Sequence, residues 1–133
     1  MSSCKADCES LMSAVLPVAE QMLTEHGELQ PFGSTMSSEG VIVQLGGWRA
    51  GAHAADADLV AEFETSFRDG AARGELKATA LLCSSSTKDS VAVRLDHREQ
   101  YSIVVTFPYH FTPAGELVIE EPSAAEGAHG IFG

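Results

Sequence analysis

A chain of 133 residues with 44% hydrophobic content has room for one domain and enough apolar material for one core, so neither a metal nor a disulfide framework is required for folding. It carries 19 acidic against 8 basic residues, a formal charge of −11, and the basic residues are scattered from Lys5 to Arg98. That distribution argues against nucleic acid and against anionic membrane surfaces as partners.

The first predicted element is a helix over about Asp7 to His26. Leu11, Met12, Val15, Leu16, Ala19, Met22 and Leu23 recur at helical spacing, and Gly27 supplies a stop. Pro17 removes the hydrogen bond back to Ser13, which predicts a kink or a break. Charged residues precede Leu11–Leu23, and Pro17, Glu20 and Gln21 interrupt it, so it reads as a folded helix and not as an export signal. No segment reaches the roughly 20 apolar residues of a membrane span. Three cysteines leave one unpaired, and no Asn is present for glycosylation. The expected compartment is the cytoplasm.

After Pro31-Phe32-Gly33, a short strand is expected near Ser34 to Met36 and a second over Val41 to Leu45. The turn Ser37-Ser38-Glu39-Gly40 between them makes a hairpin. Gly46, Gly47 and Gly51 surround Trp48 and Arg49 in a loose connection. A second helix is predicted from about Asp56 to Arg73, with acids at its start, Leu59, Val60, Phe63 and Phe67 inward, and Gly74 at its end.

The remainder is strand-rich: Leu76 to Cys83, Val91 to Asp96, Tyr101 to Phe107 and Leu117 to Glu120. Aligning Leu95 with Ile103 also aligns Val93 with Val105 and Val91 with Phe107, whereas a one-residue slip buries Ser102 and Thr106. The favoured register puts His97 opposite Tyr101, facing the core at the end of the sheet. Phe111 opposite Leu117 brings Tyr109 opposite Ile119, and Pro108 marks a bulge or an edge. One domain over 1–133 is expected, with 1–6 and 122–133 as candidate flexible ends. Ile131 and Phe132 either dock on the body or belong to an interface.

The predicted class is therefore α+β, an antiparallel sheet of about five to six strands packed with two helices, in the order α-β-β-α-β-β-β with a further strand following. This order resembles the roadblock and profilin-like sandwiches. Pro31-Phe32-Gly33 and the strings Asp96-His97 and Phe107-Pro108-Tyr109 are similar to an uncharacterised family of small bacterial proteins. The resemblance implies a fold and no catalytic residue, and pairing among roadblock-like domains implies a homodimer.

Motifs for phosphate, dinucleotide and zinc binding are missing, as is the nucleophile elbow. Ser85-Ser86-Thr87-Lys88 fits a Ser-x-x-Lys pattern but reads as a polar turn. Cys4 and Cys8 lack a second metal-ligating pair and read as free thiols on a frayed terminus, while Cys83 reads as a small core residue. His53 and His129 fall in small-residue loops. No cofactor or metal is expected.

Two readings stay open. The preferred one is an acidic, non-catalytic interaction module, adaptor-like or immunity-like, that binds a basic protein or itself, with Trp48 and Arg49 as partner contacts. The other is a small enzyme or ligand-binding domain using His97, Arg98, Tyr109 and His110, which requires those side chains to converge on one cavity. Against it, Asp96 to Gln100 also reads as a charged hairpin tip.

Overall fold

The computed structural model describes residues 4–27, 29–45, 56–84, 89–127 and 130–132. Trp48, Arg49, His53, His129 and the Ser85–Lys88 string lie outside the described residues.

Helix α1 (Cys4–His26) runs unbroken through Pro17, so the predicted break does not occur. Pro17 sits on the exposed side, where the bond it cannot make to Ser13 faces water. The buried stripe of α1 is Leu11, Val15, Ala19, Met22 and Leu23, and it begins one turn earlier than the apolar pattern, at Asp7 and Cys8. The terminus expected to fray is helical from Cys4 onward, and Cys8 is part of the core.

Strands β1 (Phe32–Ser37) and β2 (Ile42–Leu45) form the expected hairpin, with Thr35 opposite Val43. Ser37 organises its turn. Its hydroxyl accepts from the backbone N–H groups of Glu39 and Val41, and Gly40 takes the positive φ of 91° that the reversal needs. Helix α2 (Asp56–Ala72) follows, then β3 (Leu76–Ser84), β4 (Ser90–His97), β5 (Tyr101–Phe111), β6 (Leu117–Ile119) and β7 (Ser123–Glu126). The fold is α+β in the expected element order, and among the described residues seven antiparallel strands form one open sheet.

The sheet order is β2-β1-β3-β4-β5-β6, with β7 also on β5. Leu95 pairs with Ile103, Val93 with Val105 and Val91 with Phe107, as hydrophobic alternation requires. Phe111 pairs with Leu117 and Tyr109 with Ile119. Beyond Ile119 the chain continues along the same side of β5 as β7, pairing Ser123 with Thr106. Between those two pairs the edge strand advances one residue more than β5 does. This irregularity lies opposite Pro108, whose carbonyl accepts from Glu120 but which has no N–H to return.

Strand alternation separates two faces. Phe32, Met36, Ala78, Ala80, Leu82, Val91, Val93, Leu95, Val105 and Phe107 point to the α1 side and build the main core. On the other face α2 lies over β1 and β3. Phe67 of α2 packs directly on Gly33, where a Cβ would stand 2.5 Å from its ring and 3.1 Å from the Ala80 carbonyl oxygen. The chain end returns to this face, where Arg68 Nε donates to the Gly130 carbonyl at 2.9 Å and Ile131 and Phe132 are half-buried.

Because the Phe67 ring is fully enclosed, Gly33→Ala is expected to cost about 1–3 kcal/mol in urea denaturation. Phe67→Leu should recover part of that loss when combined with it, giving a favourable coupling in a double-mutant cycle. Additive losses would show that Phe67 does not set the spacing between α2 and β1.

Candidate functional site

The four side chains of the ligand-binding reading do not converge. His97 ends β4 and is 2% exposed, on the α1 face. Arg98 lies in the following turn, exposed, its Nη1 within 3.4 Å of the Ser38 hydroxyl. Tyr109 and His110 are at the far end of β5, about 30 Å along the strand from the residue opposite His97. Being consecutive strand residues, they also point to opposite faces. Tyr109 is half-buried with its ring edge-on to Phe111, and burial, with the charge of Asp89 second, raises its phenol above the ordinary range. His110 is exposed, with Nδ1 3.4 Å from Glu120 Oε2.

His97 instead belongs to a buried polar cluster. The backbone N–H of Glu99 donates to its Nδ1 at 3.1 Å, which leaves the ring proton on Nε2. Nε2 donates to Asp7 Oδ2 at 2.9 Å, and the Lys77 ammonium lies 3.5 Å from the same oxygen. Asp7 is in the first turn of α1, where the helix dipole favours a carboxylate. Lys77 reaches it from a β-bulge, since Met36 pairs with Ala78 and Ser37 with Leu76. Both ring nitrogens of His97 are engaged and the ring is enclosed, so the cluster ties α1 to the sheet and presents no free base to a substrate.

Asp7 was the residue that sequence reasoning missed, although a signal existed. Asp7, Leu11 and Val15 fall on one helical stripe, so a carboxylate interrupts an otherwise apolar face exactly one turn before Leu11 and calls for a buried partner. Of the remaining predicted contacts, Trp48 and Arg49 lie outside the described residues.

A cavity of about 60 Å³ lies between α2 and the sheet, lined by Phe67, Thr79, Asp96, Ser102, Gly127 and Ile131 among others. Ligand pockets run from about 300 Å³ upward. None of the four predicted ligand residues lines it.

Among the described residues, large apolar side chains are exposed at Phe111 and Val118 near one edge of the sheet and in a consecutive run at the β2 edge. Val41, just ahead of the strand, is 57% exposed, and Ile42 and Val43 are 38% and 48% exposed while pointing to opposite faces. Neither helix therefore covers β2. Val41-Ile42-Val43-Gln44-Leu45 has no charge, no proline and no bulge, the devices that normally protect a free edge. The opposite edge has them: Glu120, Glu121, Pro122 and Glu126, and a register break between β6 and β7. Comparison with protein-family models, curated proteins and solved structures finds no match to this chain.

Replacing His97 with Ala removes the ring N–H that the buried Asp7 carboxylate accepts at 2.9 Å, and is expected to cost about 3 kcal/mol by chemical denaturation. A loss under about 1 kcal/mol would mean that water reaches Asp7 and the cluster is not a tie. Cys8 gives a second test. Burial first, then the charges of Cys4, Asp7 and Asp96, push its thiol from 9.0 up to about 12. The unfolded chain thus loses this proton at lower pH than the folded one, so stability is fully present below 9.0 and falls as pH rises toward 12. The slope of stability against pH across that window should be shallower in Cys8→Ala, and an unchanged slope would remove Cys8 as its source.

Proposed function

We propose that this chain is a non-catalytic protein-interaction module that binds by strand addition at β2. The observation that carries the reading is an uncharged aliphatic edge strand exposed on both faces, in a sheet whose other edge is guarded by carboxylates and a proline. Backbone hydrogen bonds to the strand supply affinity, and Val43 and Leu45 on one face with Ile42 on the other supply side-chain selectivity.

The module works in the cytoplasm. Cys4, Cys8 and Cys83 are all free thiols, which suits a reducing compartment. Among the described residues no helix is long and apolar enough to cross a membrane. The charge of −11 gives an adaptor-like or immunity-like protein a long-range preference for basic surfaces and keeps it soluble. The competing reading, an enzyme or ligand-binding domain using His97, Arg98, Tyr109 and His110, lacks the convergence it requires.

Val43→Lys places a charge in the middle of the edge without touching the core. Monomer stability should change by no more than about 0.5 kcal/mol. Whatever polypeptide the tagged wild-type protein retains in a pull-down from its source, itself included, should be retained at least tenfold less by the variant. Equal retention by both proteins would rule out β2 as the binding element.

A further inference from the structure

We propose that Ser38, in the turn between β1 and β2, is a phosphorylation site, and that Arg98 is the built-in receptor for its phosphate. With 19 acidic and 8 basic residues, a chain of this composition leaves few reasons for an arginine to lack a carboxylate. Arg68 and Arg94 both lie against Glu64, and Arg73 lies against Glu75. Among the described residues Arg98 forms no such pair. Its Nη1 stands instead 3.4 Å from the Ser38 hydroxyl oxygen.

The fold sets this approach. The backbone N–H of Arg98 donates to the Lys77 carbonyl at 3.0 Å, and Gln100 takes a φ of 66° to close the turn between β4 and β5. From there the guanidinium reaches past the start of β3 to the end of β1. The Lys77 ammonium lies close to the same turn, 3.9 Å from where a Gly40 Cβ would stand. Nearby carboxylates are already engaged: Glu75 by Arg73 at 3.2 Å, and Glu99 Oε2 at 3.7 Å from His97 Nδ1. Ser37 is not the acceptor, because its hydroxyl accepts from Glu39 and Val41 and shapes the turn. The Ser38 hydroxyl donates outward instead, to the Gly74 carbonyl at 2.8 Å in an exposed hydrogen bond.

The modification is an ordinary phosphoryl transfer. The Ser38 oxygen attacks the terminal phosphorus of a nucleoside triphosphate held by a protein kinase. The new O–P bond forms as the bond to the β-phosphate oxygen breaks, the nucleoside diphosphate leaves, and the hydroxyl proton passes to the kinase's base. The product carries a charge of about −1.5 to −2 and three strong acceptor oxygens. A guanidinium can take two of those oxygens in parallel. The bond to Gly74 is lost, since an ester oxygen has no proton to donate, and water replaces it at the surface. In exchange a charge-assisted pair ties the β1–β2 turn to the β4–β5 turn. Residues 41–45 stay uncharged, so the phosphate acts on how firmly the hairpin is held and not on the β2 edge directly.

The test encodes phosphoserine at position 38 of the full chain and follows the phosphate by phosphorus NMR titration, which needs no binding partner. The second phosphate pKa should lie about one pH unit lower than in the same protein carrying Arg98→Gln, because the guanidinium favours the dianion. Equal titrations in the two proteins overturn Arg98 as the receptor, and a phosphorylated chain that does not fold overturns the site itself. Phosphopeptide mapping of protein purified from its source with phosphatase inhibitors should place phosphate on Ser38. Phosphate confined to other residues, or absent under both growth and stress, overturns the assignment.

Discussion

A helix is about 10 Å across and strands lie about 4.8 Å apart, so one helix shelters only two or three strands of a sheet. Among the described residues there is one helix for each face of a sheet six strand positions wide. Helix α2 lies over β1 and β3, and α1 is centred on β3, reaching β1 on one side and β4 on the other. Overhang at the margins is therefore unavoidable, and the character of the molecule follows from how each margin is treated. At β6 and β7 the outward residues are mostly glutamate, alanine and serine. At β2 they are aliphatic.

The position of α1 depends in turn on the cluster of Asp7, His97 and Lys77. A helix resting on alternating aliphatic side chains can slide along them at little cost, because the hydrophobic effect has no direction. A carboxylate held by a ring N–H at 2.9 Å and an ammonium at 3.5 Å has a defined place. The cluster sets the helix at one end of the sheet, as Phe67 against Gly33 sets α2 on the other face. The desolvated thiol of Cys8 and the raised phenol of Tyr101, shifted first by burial and then by Cys8, Cys4 and Glu9, lie close by.

Much of the architecture was legible in the sequence because hydrophobic alternation is a local signal with a geometric meaning. The pairing of β4 with β5 followed from Val91, Val93 and Leu95 against Ile103, Val105 and Phe107, and His97 was correctly read as core-facing opposite Tyr101. β7 was not legible. Ser123-Ala124-Ala125-Glu126 has no β-branched or aromatic residue, and what makes it a strand is the backbone ladder already offered by β5. The partner of His97 was hidden for a different reason: Asp7 is 90 residues away, and no local pattern joins two polar residues so far apart in the chain. The candidate site was least legible of all. Exposure of Val41, Ile42 and Val43 depends on where the helices end, and the pattern of a strand is the same whether or not anything covers it.

Among the described residues the β1–β2 hairpin joins the sheet through β1 and β3, a pairing that links Phe32 to Leu82 across the whole of α2. From β3 onward each strand pairs with its sequence neighbour through β6, so those contacts close short loops. Loop-closure entropy orders such events, and the meander from β3 to β6 is the cheaper structure to form first. The hairpin then docks as a unit, last to arrive and first to leave. While it is away the exposed edge is β3 itself, with Ala78, Ala80 and Leu82 along it, which makes the undocked chain stickier than the finished fold.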